Sequence, residues 1–215
     1  MLRTFRNTLK EQIPLYIFVT VLFLMGVVFG ALMVNALTLE QQQDISRYLG
    51  DFVTNYKPGG MQDAAGFWSI ALLNLKWLGL IWILGLSVIG LPGILVLDFL
   101  KGVLIGFSVG CLIGEYTWSG LLFALVSIAP HNLVLIPALL VCSVAAVTFS
   151  LNIIRSRVML RRHGSMAKPF MNYSLMVISM AVIILGISTF ETWVTPVMIS
   201  WVAPILEQAS TASTL

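Results

Sequence analysis

The sequence predicts an all-α polytopic membrane bundle of about five transmembrane helices. Three observations lead there. Of 215 residues, 59% are hydrophobic and only 10% are charged, against about 25% charged in a typical soluble domain. The mean hydropathy is +0.97. The apolar residues also fall into long runs, and runs of 18 or more read as transmembrane helices. Together these exclude a soluble globular enzyme, a disordered tail and a small disulfide scaffold.

The first expected span covers about 13–37. Arg3, Arg6 and Lys10 precede it, and Val34-Asn35-Ala36 imitates a signal-peptide cleavage site. The apolar stretch is, however, longer than the roughly 7–15 residues of a signal core, so it reads as a retained span. The second span is expected at 67–90, followed by a tight turn at Leu91-Pro92 and a third span at 93–113. The fourth, 118–150, is too long for a straight crossing of about 20 residues. Pro130 and Pro137 bracket Pro130-His131-Asn132 about a dozen residues from its external end. The span is therefore either a kinked, tilted helix with a hydrogen-bonded His or a broken helix near the midplane, like those that line many transporter binding sites. The fifth span is expected at 170–190, where Trp193, Val197 and Trp201 either continue it or form an interfacial helix.

Lys and Arg in the short loops set orientation. The N-terminal arm holds three, and Arg155, Arg157, Arg161, Arg162 and Lys168 lie in the loop between spans four and five. The first loop holds only Arg47 and Lys57 against Glu40, Asp44, Asp51 and Asp63, and the remaining external segments hold none. The N-terminus is expected inside and the C-terminus outside. The net charge of +3 thus reflects topology and points to no nucleic-acid partner. The chain reads as one integral membrane domain, 1–215, with an extracytoplasmic amphipathic segment at 38–66 and a cytoplasmic basic loop at 151–169. Cys111 and Cys142 are expected near opposite faces, out of reach of a disulfide.

Thr38-Leu39-Glu40-Gln41 matches a capping box that would start a helix in the first loop. Ile45, Tyr48, Leu49, Phe52, Val53 and Tyr56 then recur at helical spacing on one face, and Pro58-Gly59-Gly60 would end it. That face either lies on the bilayer or on the bundle's own outer surface, or it docks an extracytoplasmic partner. In span three, Gly102, Gly106, Gly110 and Gly114 form a stripe of small residues, with Gly26 and Gly30 a shorter one in span one. Such stripes let helices approach closely in lipid, either within one chain or between the subunits of a homo-oligomer.

Polar residues inside apolar runs are expensive, hence paired or functional. Asp98 and Lys101 are spaced for an i,i+3 ion pair. Lys76, nine residues into span two, reads as a buried charge of unknown partner, and His131 and Asn132 as buried polar groups beside the prolines. Ser127 and His131 lie one helical turn apart, but no Gly-x-Ser-Gly motif accompanies them. His131 and His163 with scattered carboxylates do not build a zinc site, and no P-loop or dinucleotide fingerprint occurs. No catalytic residue, cofactor or metal is expected, and the chain reads as a non-enzyme.

Several strings are similar to the stage II sporulation protein M family. They are Leu78-Gly79-Leu80-Ile81-Trp82-Ile83-Leu84-Gly85 with Ile89-Gly90-Leu91-Pro92, Phe99-Leu100-Lys101-Gly102 with Gly106-Phe107 and Gly110, Pro130-His131-Asn132 before Ile136-Pro137-Ala138, and Ser150-Leu151-Asn152-Ile153-Ile154-Arg155. The resemblance extends over about 13–162. It implies a multi-pass protein of endospore-forming bacteria that acts in engulfment, in the mother-cell septal membrane, as a scaffold for two peptidoglycan-degrading partners, stage II sporulation proteins D and P. Asn132 and Leu135 depart from the Gly and Glu that many members carry, so the resemblance implies no proton- or ion-handling role there. The alternative function is a transporter or channel using Lys76, Asp98 and His131.

Overall fold

The computed structural model describes residues 2–55, 64–87, 90–158, 167–195 and 197–198; for 2–11, 49–55, 64–66, 116–117, 155–158 and 167–168 it describes the backbone alone. Its helices are α1 (Leu2–Met33), α2 (Leu39–Asn55), α3 (Ala64–Leu86), α4 (Gly90–Ser127), α5 (Ala129–Val158) and α6 (Ala167–Trp193), with a short 3₁₀ turn at Val34–Ala36. The described residues contain no strand. Lipid offers the backbone no hydrogen bonds, and a helix satisfies its own. Five stretches are long and apolar enough to cross a bilayer: Gln12–Ala36, Phe67–Leu86, Gly90–Glu115, Ala129–Ile154 and Pro169–Trp193.

Two of the expected boundaries move. The reversal between α3 and α4 lies at Ser87–Gly90, where Ser87 N–H donates to the Leu84 carbonyl and Gly90 N–H to that of Ser87. A Cβ on Gly90 would strike the Leu84 carbonyl, so only glycine permits so close a return. Leu91 and Pro92 belong to the first turn of α4, where proline's missing N–H costs nothing.

The fourth span starts at Ala129 rather than Trp118. Asp98 of α4 meets Ser143 of α5. At 1.5 Å per residue, α4 rises about 26 Å from Asp98 to Glu115, and α5 rises about 21 Å from Ser143 back to Ala129. An α4 running straight to Ser127 would end about 43 Å above Asp98, far from the start of α5. Residues 118–127 therefore cross between the tops of the two helices. Their pattern suits that place, with Trp118, Leu122 and Leu125 exposed and Phe123 and Ala124 buried. Pro130 consequently sits in the first turn of α5, and the helix breaks beside it, at Ile128, at the top of the bundle and not at the midplane. Pro137 is the proline inside α5.

α5 is the hub. In its most apolar window 56% of residues are buried, against 22–28% in the other four spans. Small residues make that possible: Cys142, Ser143, Ala146 and Ser150 are fully enclosed. Around them Leu78, Ile81, Ile94, Leu135, Leu139, Val147, Tyr173 and Ile184 form one core from α3 to α6. The Tyr173 ring stacks on Phe149 at 5.0 Å. Ser150 Oγ donates to the carbonyls of Gly85 (2.9 Å) and Ser87 (3.2 Å), where α3 ends.

α1 lies outside this core and packs parallel to α4 along the glycines. A Cβ on Gly26 would collide with the Phe99 carbonyl oxygen, one on Gly30 with that of Val103, one on Gly102 with that of Phe23 and one on Gly106 with that of Val27. At Gly110 the nearest atom is Val34 Cγ2, 2.9 Å away; at Gly114 it is Val34 Cγ1 at an ordinary 3.7 Å. Backbones this close give dispersion contact with little side-chain ordering, the means of helix association that lipid leaves available.

At the far end, helical i→i−4 bonding continues beyond α6, from Val194 N–H to Phe190 O and from Met198 N–H to Val194 O. Trp201 lies outside the described residues. Cys111 and Cys142 are buried free thiols.

Candidate functional site

The chemistry-bearing side chains divide among three places. The first is the Glu115 end of the bundle, where α2 begins. Gln41 N–H donates to Thr38 Oγ1 (3.4 Å) and Thr38 N–H to Gln41 Oε1 (3.0 Å), a reciprocal cap. One turn further along, Ser46 Oγ donates to Glu115 Oε2 at 2.6 Å, tying α2 to the top of α4. A cavity of about 210 Å³ opens beside this tether, lined by Asn35, Leu37, Gln42, Ile45, Cys111 and Glu115 among others. Of the expected docking face, Ile45 is half-buried at this cavity and Tyr48 is exposed. Leu49, Phe52 and Val53 lie on α2 with side chains outside the described residues, and Tyr56 and the Pro58-Gly59-Gly60 stop lie outside them entirely. Among the described residues α2 packs little against the five spans.

The second place is the interior between α4, α5 and α6. Ser143 Oγ donates to Asp98 Oδ1 at 2.7 Å, while Asp98 Oδ2 is buried without a hydrogen-bond partner. The expected Asp98–Lys101 pair does not form among the described residues. Lys101, half-buried, instead holds its ammonium 5.3 Å above the Trp77 ring, a favourable arrangement of cation over π-face. His131 Nδ1 lies 2.9 Å from Glu191 Oε2, but off the line a hydrogen bond requires, so neither atom counts as bonded. The contact is electrostatic and joins the start of α5 to the end of α6. Asn132 is half-buried and closes the α4–α5 junction, its Nδ2 donating to the Ile128 carbonyl at 2.9 Å. Ser127 Oγ donates to the Phe123 carbonyl, so it is turned into its own helix and not toward His131.

The third place is the outer surface of α3. Lys76 is exposed there, which corrects the expectation that it is buried. It makes no ion pair or hydrogen bond among the described residues.

The residues read as a transport path do not converge. Asp98 meets α5 at Ser143, about 18 Å along that helix from His131, and Lys76 lies on the outside of the bundle. Sequence reasoning missed three partners: Ser143, Glu191 and Trp77. Glu191 carried a legible signal, a lone carboxylate at the end of an apolar run; Ser143 and Trp77 looked like ordinary span residues.

Five apolar helices around a close-packed interior define a polytopic α-helical membrane protein. Within that class the assignment is specific: the family model described as Stage II sporulation protein M matches residues 19–196. The chain belongs to the stage II sporulation protein M family, and is a sporulation-related membrane protein. No curated protein and no solved structure matches it.

Proposed function

We propose that this protein is a membrane scaffold for septal peptidoglycan remodelling and forespore engulfment. It recruits and stabilises wall hydrolases at the septal membrane of the mother cell and performs no hydrolysis itself. On this reading its partners are stage II sporulation proteins D and P, the N-terminus is cytoplasmic, and the Glu115 end faces the wall. The observation that carries it is α2, an amphipathic helix that is fastened to the bundle by a short polar tether and, among the described residues, packs little on it. Tyr48, exposed on its apolar face, is thus left for a protein or a bilayer to cover. Family membership supports the sporulation setting, and the Lys and Arg distribution supports the orientation.

Phe52→Asp tests the docking face. Loss of hydrolase recruitment with normal membrane abundance is the expected result; unchanged recruitment would remove α2 from the account.

A second reading, a transport pathway, draws on the buried Asp98 Oδ2 that lacks a partner. Asp98→Asn keeps the shape and the bond from Ser143 while removing the charge. A scaffold retains hydrolase recruitment in that variant, whereas a sporulation defect with recruitment intact would favour transport.

A further inference from the structure

The span Phe67–Leu86 of α3 has 20 residues, and Lys76 is the tenth of them. It therefore stands about 14 Å from either end of a hydrocarbon layer some 30 Å thick. A lysine stem shortens that depth by about 6 Å at most, so snorkelling alone does not bring the ammonium to water. Charges at such depth face a bundle interior, a water-filled cavity or a counter-charge. Among the described residues Lys76 faces none of these. It is exposed, and Leu72, Leu73, Leu80 and Ile83 around it on α3 are exposed as well.

Beside it runs a groove. Gly79 shares the Lys76 face, three residues on, and borders a cavity of about 360 Å³ between α3 and α6, lined also by Leu75, Leu78, Trp82, Ser174, Val177 and Ile178. A Cβ built on Gly79 meets nothing within 4 Å. The Ser174 hydroxyl in the same groove is buried without a hydrogen-bond partner. Lys76 is not among the residues that line this cavity but flanks it through Gly79. A mid-bilayer cation thus stands beside a groove that holds a small residue with open space above it and an unused hydroxyl from α6.

The identity of the occupant follows from charge. The carboxylates within this chain's own spans are Asp98, Glu115 and Glu191. Each touches a side chain of its own chain: Asp98 Oδ1 accepts from Ser143, Glu115 from Ser46, and Glu191 lies against His131. Glu115 and Glu191 also sit near span ends, far from the depth of Lys76, and Asp98 is buried. Among the described spans, a second copy therefore offers no exposed acid at the depth of Lys76. We propose that the α3–α6 groove beside Lys76 docks a transmembrane helix of another protein that carries an Asp or Glu near its midpoint. This site is independent of α2 and survives the failure of the α2 docking face.

The test uses the full-length protein in phosphatidylcholine bilayers at pH 8. Labelled leucine-rich transmembrane peptides that differ only in the central residue, Asp or Leu, are titrated by energy transfer. The Asp peptide is expected to bind about tenfold more tightly. Lys76→Met and, separately, Gly79→Phe, which fills the groove, are each expected to abolish that advantage. Lys76→Asp is expected to transfer it to a peptide with central Lys. Lys76 is exposed and Gly79 has open space above it, so unchanged thermal stability accompanies the loss in each variant. Equal binding of the two peptides overturns the proposal, as does an Asp advantage that persists in Lys76→Met. So does self-association of the protein that Lys76→Met abolishes, which would make the occupant a second copy. Displacement of the Asp peptide by added phosphatidylglycerol would assign the site to a lipid headgroup and overturn it equally.

Discussion

The glycines of the α1–α4 seam do the opposite of Gly79 on α3 and Gly186 on α6. Along the α1–α4 seam, Gly26, Gly30, Gly102 and Gly106 each meet the backbone of the other helix so closely that a methyl group has no room. On the opposite side, Gly79 and Gly186 have nothing within reach of a Cβ. In one region glycine closes a contact within the chain, and in the other it leaves a surface open. The stripe most visible in the sequence is therefore already occupied, while the surfaces available to partners are the inconspicuous ones. Glycine spacing alone does not separate these cases; what lies opposite each residue does.

The largest effect is expected at the seam. Gly106→Leu would drive a side chain into the Val27 backbone and should destabilise the bundle by about 3 kcal/mol or more. The measurement is thermal unfolding of the detergent-solubilised protein together with its abundance in membranes; wild-type stability would mean that α1 and α4 are not in backbone contact.

A smaller loss is expected where a side chain closes a helix end. Ser150→Ala removes the hydroxyl donor to the Gly85 carbonyl and the second donor to that of Ser87, which keeps Gly90 N–H, and should cost about 1–2 kcal/mol. The local opening it causes should appear as faster hydrogen exchange at the end of α3.

Next comes the link between α5 and α6. A double-mutant cycle of His131→Leu and Glu191→Leu should give a coupling of about 1 kcal/mol, in keeping with polar pairs between transmembrane helices. A coupling near zero would make the contact incidental.

The smallest effects should fall at the open glycines. Gly79→Ala and Gly114→Ala should stay within about 0.5 kcal/mol of wild type. A large loss at Gly79 would contradict the contrast between the two regions.

Much of the fold is legible in the sequence because bilayer thickness dictates span length. Four of the five spans begin and end within a few residues of the apolar runs, and the α2 cap follows from Thr38 and Gln41. The fourth span was misplaced at its start because 118–127 is as apolar as a span. Only the meeting of Asp98 and Ser143, 45 residues apart, shows that the chain turns there. The sites were less legible. Helical spacing proposed Lys101 for Asp98, yet Ser143 from another helix took that carboxyl, and the Trp77 ring took the lysine. Hydropathy marks Lys76 as unusual in lipid but does not say which way it faces, since that depends on how α3 packs on α5 and α6.

The central claim is that α2 presents a face to wall hydrolases, and photo-crosslinking in sporulating cells tests it most directly. Probes at Leu49, Phe52 and Tyr56, with adducts identified by mass spectrometry, should capture stage II sporulation protein D or P. Adducts confined to lipid or to the chain itself would contradict the claim and make α2 a lid on its own bundle.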